Sequence, residues 1–147
     1  MDASASMSCR GLASMVVMLV IAIVLITAAL VLYSSGVWWE RRAGTLRWGH
    51  VGLFGAGLVF DASGTALMTL IAGSRASRTA GVGGALNTVM AFTGAAALVL
   101  MAVHLTWAVF VLLRDRQSER AAFHRFSLAV WALWLVPYVT GAFGSAV

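Results

Sequence analysis

Four long stretches almost free of charge constrain this chain more than any other feature of its sequence. Residues 11–39, 79–113 and 126–147 contain no charged side chain. The stretch 48–74 contains one, Asp61. Because about 20 apolar residues in a helix cross a bilayer core of ~30 Å, each stretch is long enough for one transmembrane helix. The sequence predicts a single all-α domain, a bundle of four transmembrane helices at about residues 12–34, 49–73, 83–113 and 125–145.

The composition excludes several classes of protein. Of the 147 residues, 61% are hydrophobic and 10% are charged, whereas soluble domains contain about 45–50% apolar and about 25% charged residues. A soluble enzyme and a disordered chain are therefore not expected. A single cysteine excludes a disulfide framework within the chain. The basic residues are all arginines, clustered between the uncharged stretches and not along one basic face, so nucleic acid is not an expected partner.

The positions of the arginines predict the orientation of the chain in the membrane. Seven of the ten lie around the first and third connections between the predicted helices, and the other three are Arg10, Arg75 and Arg78. Basic residues are enriched on the cytoplasmic side of membrane proteins. We therefore expect the first and third connections to face the cytoplasm and both termini to lie outside.

A set of residues spread over positions 30–145 resembles the HsmA family of small four-helix bacterial membrane proteins. The resemblance rests on the segments 33–44 and 53–68, on His50 and Gly94, on the segments 100–104 and 123–127, and on Trp107, Trp131, Trp134, Pro137, Tyr138 and Gly141. It implies four transmembrane helices and a location in the bacterial cytoplasmic (inner) membrane. It implies no reaction, substrate or cofactor.

Asp61 is the most informative polar residue, because it lies near the middle of the second predicted helix. Arg47 and Arg75 are each 14 residues away, which corresponds to roughly 20 Å of helix. An aspartate at that depth costs about 2.5–3.5 kcal/mol on insertion scales, so we expect it to face the bundle interior. Gly64 and Thr65 lie one turn further along and share its helical face.

Polar residues of other helices lie at a similar predicted depth. Counted from the arginines of one membrane side, His104 and Tyr138 differ in depth from Asp61 by at most four residues, or about 6 Å along a helix axis. The sequence therefore predicts a buried polar cluster of Asp61, Thr65, His104 and Tyr138. Such a cluster either performs chemistry, for example by holding a proton, or satisfies its own polar groups and fixes the helix packing. The sequence leaves both interpretations open.

The three histidines are candidate ligands for a cofactor. His50, His104 and His124 belong to three different predicted helices, and imidazoles on two helices can ligate a b-type haem or a divalent metal. The competing interpretation is a hydrogen-bonded histidine in the interior or a histidine near the lipid headgroups. No nucleotide-binding loop, CxxC pair, zinc-protease motif or serine-nucleophile elbow occurs in the sequence. The cofactor stays undefined, with haem b as the specific candidate.

Three functions are compatible with these features. The first is a nonenzymatic accessory subunit of a membrane assembly, or a stress-related membrane protein. An alternative is a haem- or metal-binding redox protein that uses the histidines of helices two to four. A second alternative is a small proton-coupled transporter or efflux component with Asp61 as its coupling group. The charged connections are too short for a soluble active site, and the expected partners are the lipid bilayer and either a second copy of the chain or a larger membrane complex.

Overall fold

The protein consists of four long α-helices. A computed structural model describes the backbone of residues 3–76 and 82–144, with side chains described over 11–74 and 92–139. No β-strand occurs within these ranges. The predicted all-α four-helix fold is confirmed, and its helices in chain order are α1 (Ala3–Ala43), α2 (Trp48–Ala76), α3 (Val82–Arg114) and α4 (Gln117–Gly144).

The helices form a ring in which each packs against its neighbours in the chain, and α4 packs against α1. Within the described residues, the backbones of α1 and α3, and those of α2 and α4, do not approach each other closely. Tyr33 of α1 lies beside Gly57 of α2, and Ile26 lies beside Gly64, so the two helices are antiparallel. Short connections favour this up-down-up-down order. The bundle interior is therefore filled by side chains from all four helices.

Each helix contains a segment that is long and apolar enough to cross a bilayer. The shortest of these segments has 23 residues, or about 35 Å of helix against a hydrocarbon core of ~30 Å. Large apolar side chains cover the outside of the bundle, and Leu12 and Phe92 are 67% and 76% exposed. Lipid solvates such a surface, whereas water does not. The four segments are Gly11–Ala43, Trp48–Ser74, Phe92–Arg114 and Gln117–Val139.

At the end of the bundle that carries the first and third connections, α1 and α4 are longer than their uncharged stretches. α1 ends at Ala43, nine residues beyond the predicted end, and α4 begins eight residues before the predicted start. Hydropathy marks where a helix leaves the lipid, whereas a helix ends where its backbone is capped. Gly44 caps α1 with a φ of 63°, and its N–H donates to the Glu40 carbonyl oxygen at 3.1 Å.

The first and third connections are bonded to each other. Arg120, in the first turn of α4, donates from Nε and Nη2 to the carbonyl oxygen of Leu46 at 3.2 and 2.8 Å. Its Nη1 donates to Asp115, in the connection between α3 and α4, at 2.5 Å. The two connections that hold most of the arginines therefore lie at one end of the bundle. Which side of the membrane this end faces stays a prediction.

Glycines bring α1 and α2 into close contact. A Cβ atom at Gly57 would lie 2.5 Å from Cε1 of Tyr33, and one at Gly64 would lie 2.5 Å from Cγ1 of Ile26. Helix interfaces in membranes depend on such small residues, because lipid provides no hydrophobic force that pushes helices together. The glycine face of α2 therefore positions α1 against the same side of α2 that carries Asp61.

We expect Gly57→Ala to destabilise the bundle, because the added methyl group would overlap the ring of Tyr33. Overpacking of this kind costs about 1–3 kcal/mol. Gly52→Ala is the matched control, since Gly52 is exposed and no atom lies within 4 Å of an added Cβ. The measurement is thermal unfolding of both purified variants in the same detergent. Equal unfolding midpoints would show that close packing of α1 on α2 does not limit stability.

Candidate functional site

Asp61 is buried in the bundle and is bonded to two aromatic side chains. Its carboxylate is on α2, and the whole residue is 3% exposed. Oδ2 accepts a hydrogen bond from the indole N–H of Trp134 on α4 at 2.9 Å. The same oxygen accepts a longer one, 3.4 Å, from the hydroxyl of Tyr33 on α1. Asp61, Tyr33 and Trp134, here called the central layer, therefore join three helices through one carboxylate.

Aromatic packing holds the two donors of the central layer in place. The Tyr33 and Trp134 rings meet edge to face, with centroids 5.1 Å apart and an interplanar angle of 77°. The Tyr138 ring stacks on the Trp134 ring, and their centroids are 5.6 Å apart. Each such ring pair contributes about 0.5–1.5 kcal/mol beyond the area it buries. Ring contacts therefore hold both donors next to the carboxylate.

The structure groups the predicted polar cluster differently. Within the described residues, no hydrogen bond joins Asp61 to Thr65, His104 or Tyr138. Tyr138 contacts the central layer only by stacking its ring on that of Trp134. Thr65 is half-buried one turn further along α2. His104 packs against Phe54 with ring centroids 4.9 Å apart. Since Phe54 precedes Asp61 by seven residues, His104 is about 10 Å away along the bundle axis.

His104 belongs to a second polar group. It is 1% exposed, and its Nε2 lies 3.5 Å from the Ser127 hydroxyl on α4. The rings of Phe54, Phe123 and Phe126 surround the imidazole, with centroids 4.9, 5.3 and 5.7 Å away. Its other nitrogen, Nδ1, is buried and has no hydrogen-bond partner.

Glu40 and His50 complete this second group. Glu40, near the end of α1, is 1% exposed. Neither of its carboxyl oxygens has a hydrogen-bond partner. His50 on α2 is fully buried; its Nδ1 accepts from the backbone N–H of Arg47 at 2.9 Å, and its Nε2 has no partner. We call Glu40, His50, His104 and Ser127 the second layer.

The antiparallel register of α1 and α2 places Glu40 and His50 at the same level. A Cβ atom at Gly36 would lie 2.6 Å from the Phe54 ring, so these two positions face each other. Four residues further along α1 is Glu40, and four residues back along α2 is His50. Trp39, next to Glu40, supports this register, because its ring centroid is 4.7 Å from that of His50.

The proposed haem or metal ligands do not converge. No group of three His, Cys, Asp or Glu side chains that could hold a metal ion occurs within the described residues. Because Nδ1 of His50 accepts the Arg47 N–H, the proton of the neutral ring is on Nε2, which then has no lone pair for a metal. His124 is half-buried on α4, and its Nδ1 lies 2.7 Å from the Ala121 carbonyl oxygen. Haem ligation by His50 and His124 does not fit this arrangement.

Four residues of the two layers are absent from the predicted polar cluster and from the predicted ligands: Tyr33, Glu40, Ser127 and Trp134. A first helix that ends near residue 34 excludes Glu40, whereas in the longer α1 it lies seven residues after Tyr33, on the same face. Ser127 and Trp134 of α4 are also seven residues apart. A seven-residue spacing of polar and aromatic side chains on α1 and α4 is therefore the signal that identifies both layers.

The chain matches no family model, no curated protein and no solved structure. The arrangement of the interior side chains is therefore the basis for a functional proposal.

We expect Trp134→Phe to lower the unfolding temperature, because the ring is kept while the indole N–H that bonds Asp61 is lost. Leaving a buried acceptor without its hydrogen-bond partner lowers the free energy of unfolding by about 1–3 kcal/mol. Trp107→Phe is the matched control, since Trp107 is 47% exposed on the outside of the bundle. Thermal unfolding in lipid nanodiscs measures both. If Trp134→Phe is no less stable than Trp107→Phe, the indole bond does not stabilise the bundle.

Proposed function

We propose that this chain is a nonenzymatic accessory or stress-related protein of the bacterial cytoplasmic membrane, related to the HsmA family, with both termini outside. In this role the central layer holds α1, α2 and α4 in one packing, and the outer surface contacts lipid and a membrane partner. The partner is a second copy of the chain or a larger membrane complex.

The pairing of Asp61 is the observation that carries this proposal. A buried carboxylate that receives an indole N–H and a phenol O–H from two other helices has the partners that burial requires. A group bonded in this way stabilises a particular packing, because moving the Trp134 indole away leaves the carboxylate with only the longer bond from Tyr33 in an apolar interior. This arrangement favours a structural role for Asp61 over a role in binding substrate.

The short connections also favour a role without catalysis in the aqueous phase. Four residues separate α1 from α2, and two separate α3 from α4. Segments of this length join antiparallel helices and leave no room for a domain outside the membrane. Chemistry at this end of the bundle would have to take place between the helices.

We expect Asp61→Asn to retain function and Asp61→Leu to lose it. The asparagine carbonyl oxygen can still accept the Trp134 indole N–H, whereas leucine leaves that donor without a partner. The assay is survival of a deletion strain under membrane stress, from acid or a membrane-fluidising alcohol, with each variant supplied at the wild-type protein level. Native electrophoresis of the same membranes reports assembly with a partner.

Two outcomes would contradict the proposal. A deletion strain that matches its parent under every stress, together with a protein that migrates as a lone monomer, removes the accessory role. If Asp61→Asn is present at the wild-type level and fails to support survival, the carboxylate itself is needed. That result would favour the proton-coupled transporter, in which Asp61 has to release and bind a proton.

The haem-binding alternative has a direct spectroscopic test. We expect the protein, expressed with haem precursor and purified in mild detergent, to show no Soret band, because His50 has no free lone pair on Nε2. Absorbance between the near ultraviolet and the visible, together with elemental analysis, measures haem and metal content. A stoichiometric Soret band that is lost on His104→Phe would establish the redox protein instead.

A further inference from the structure

The second layer contains buried polar atoms that the packing of the bundle does not explain. Among the described side chains, the buried nitrogen and oxygen atoms without a hydrogen bond all belong to Glu40, His50 and His104. Buried polar groups in folded proteins are nearly always paired, and exceptions mark strain, bound molecules or chemistry. The buried Asp61, in contrast, accepts two hydrogen bonds at its Oδ2. The unpaired groups of the second layer therefore point to a site.

The groups of the second layer come from all four helices. Glu40 is on α1, His50 on α2, His104 on α3 and Ser127 on α4. The Ser127 hydroxyl is 3.5 Å from Nε2 of His104. Glu40 lies seven residues after Tyr33 and Ser127 lies seven residues before Trp134, and the Tyr33 and Trp134 rings are in contact. Because α1 and α4 are antiparallel, Ser127 is therefore at the level of Glu40 as well as beside His104.

Among the described side chains, no ion pair involves the Glu40 carboxyl group. The two ion pairs within the described side chains, Arg116 with Glu119 and Arg120 with Asp115, are both outside the second layer. The polar groups of the second layer on the other helices are two imidazoles and a hydroxyl. Nearby arginines make other contacts, with Arg41 over the Trp38 ring, Arg114 over the Phe110 ring and Arg120 on the Leu46 carbonyl oxygen.

A lone carboxylate in an apolar interior is costly, and it becomes neutral by taking up a proton. Glu40 has access to one, because it lies only three residues before the end of α1 at Ala43, less than about 5 Å of helix. On the opposite side, the fully buried Phe54 ring packs against His104 and separates this layer from Asp61. The second layer is therefore near one membrane surface and isolated from the central layer.

We propose that Glu40, Ser127 and His104 form a proton-binding site in which the proton moves between the Glu40 carboxyl group and Nε2 of His104 through the Ser127 hydroxyl. In the transfer, the carboxyl O–H of Glu40 gives its proton to the oxygen of Ser127. The Ser127 O–H gives its own proton to Nε2. A carboxylate and an imidazolium result, the hydroxyl is regenerated, and the net charge of the site is unchanged.

His50 supports the charge-separated form of this site. Its Nδ1 accepts the Arg47 N–H, so Nε2 carries a hydrogen at the level of Glu40 without a partner in the neutral-carboxyl form. An N–H donor at this level favours the charged form of a carboxyl group that it reaches. This site goes beyond the accessory role, which rests on the central layer, so either of the two can fail without the other.

Infrared spectroscopy of the full chain in lipid vesicles tests for the bound proton. A protonated carboxyl group gives a C=O band distinct from those of carboxylates, and the chain contains only two glutamates, Glu40 and Glu119. We expect this band at neutral pH in the wild-type protein, shifted when glutamate carries carbon-13. Glu40→Gln should remove it, and Asp61→Asn, which alters the other buried carboxyl group, should leave it. The absence of any glutamate-dependent band would overturn the proposal, and the labelled wild-type protein decides this even if a variant fails to fold.

Nitrogen NMR of the full chain with nitrogen-15 histidine tests the route of the proton, because a proton that arrives at Nε2 shifts the signal of that nitrogen. We expect Ser127→Ala to lower the protonated fraction at Nε2 of His104 on the order of tenfold, because the hydroxyl that bonds both charged groups is lost. Ser63→Ala is the matched control, since the Ser63 hydroxyl donates to the Val59 carbonyl oxygen on the exposed side of α2. His104→Phe, which fits among the surrounding phenylalanine rings, should remove the shifted signal and so assign it to this ring. Equal protonated fractions for Ser127→Ala and Ser63→Ala would show that the proton does not pass through this hydroxyl.

Discussion

A carboxylate halfway along a membrane helix must be kept away from lipid, and the rest of the bundle depends on how Asp61 meets that requirement. Its shortest hydrogen bond comes from α4 and its second from α1. The phenol can approach because glycine at position 57 lets the Tyr33 ring lie against the α2 backbone. One polar contact therefore determines which faces of three helices point inward, in an environment where apolar side chains alone do not distinguish the inside of a bundle from its outside.

The two polar layers differ in what their surroundings provide. In the central layer, donors and acceptor match, and the aromatic rings leave little freedom to rearrange. In the second layer, the acidic and basic groups have buried donor and acceptor atoms without a hydrogen-bond partner. Matched groups hold a structure together, whereas unmatched groups change partners when a proton arrives or leaves. The fold thus combines a fixed centre with a more adaptable end near one membrane surface.

The fold class could be predicted from the sequence because the membrane leaves few alternatives. A chain with four apolar stretches has to satisfy its backbone within each crossing, and helices do so. The ends of α1 and α4 could not be predicted in the same way. Charged residues after Trp39 mark the limit of the lipid, but the helix continues until Gly44 adopts a left-handed conformation. That difference decides whether Glu40 belongs to a surface connection or to the bundle interior.

The sequence shows that an intramembrane aspartate is costly, but it does not show which side chains bond to it. Counting residues from flanking arginines gives an approximate height in the membrane and says nothing about the rotation of each helix. Tyr138 is close to the right height, yet Trp134, one turn away, presents its N–H to Asp61. His104 is about two turns from Asp61 along the bundle axis, because the register of α3 against α2 places it beside Phe54.

The order of the helices along the chain gives the Trp134–Asp61 bond a consequence for biosynthesis. Asp61 enters the membrane with α2, when only the weaker donor on α1 has been made, and its better donor arrives with the last helix. Until translation is nearly finished, the half-built protein therefore carries an acid that lipid does not tolerate. A ribosome that stalls before α4 would leave a product that quality-control proteases can recognise by this one exposed group.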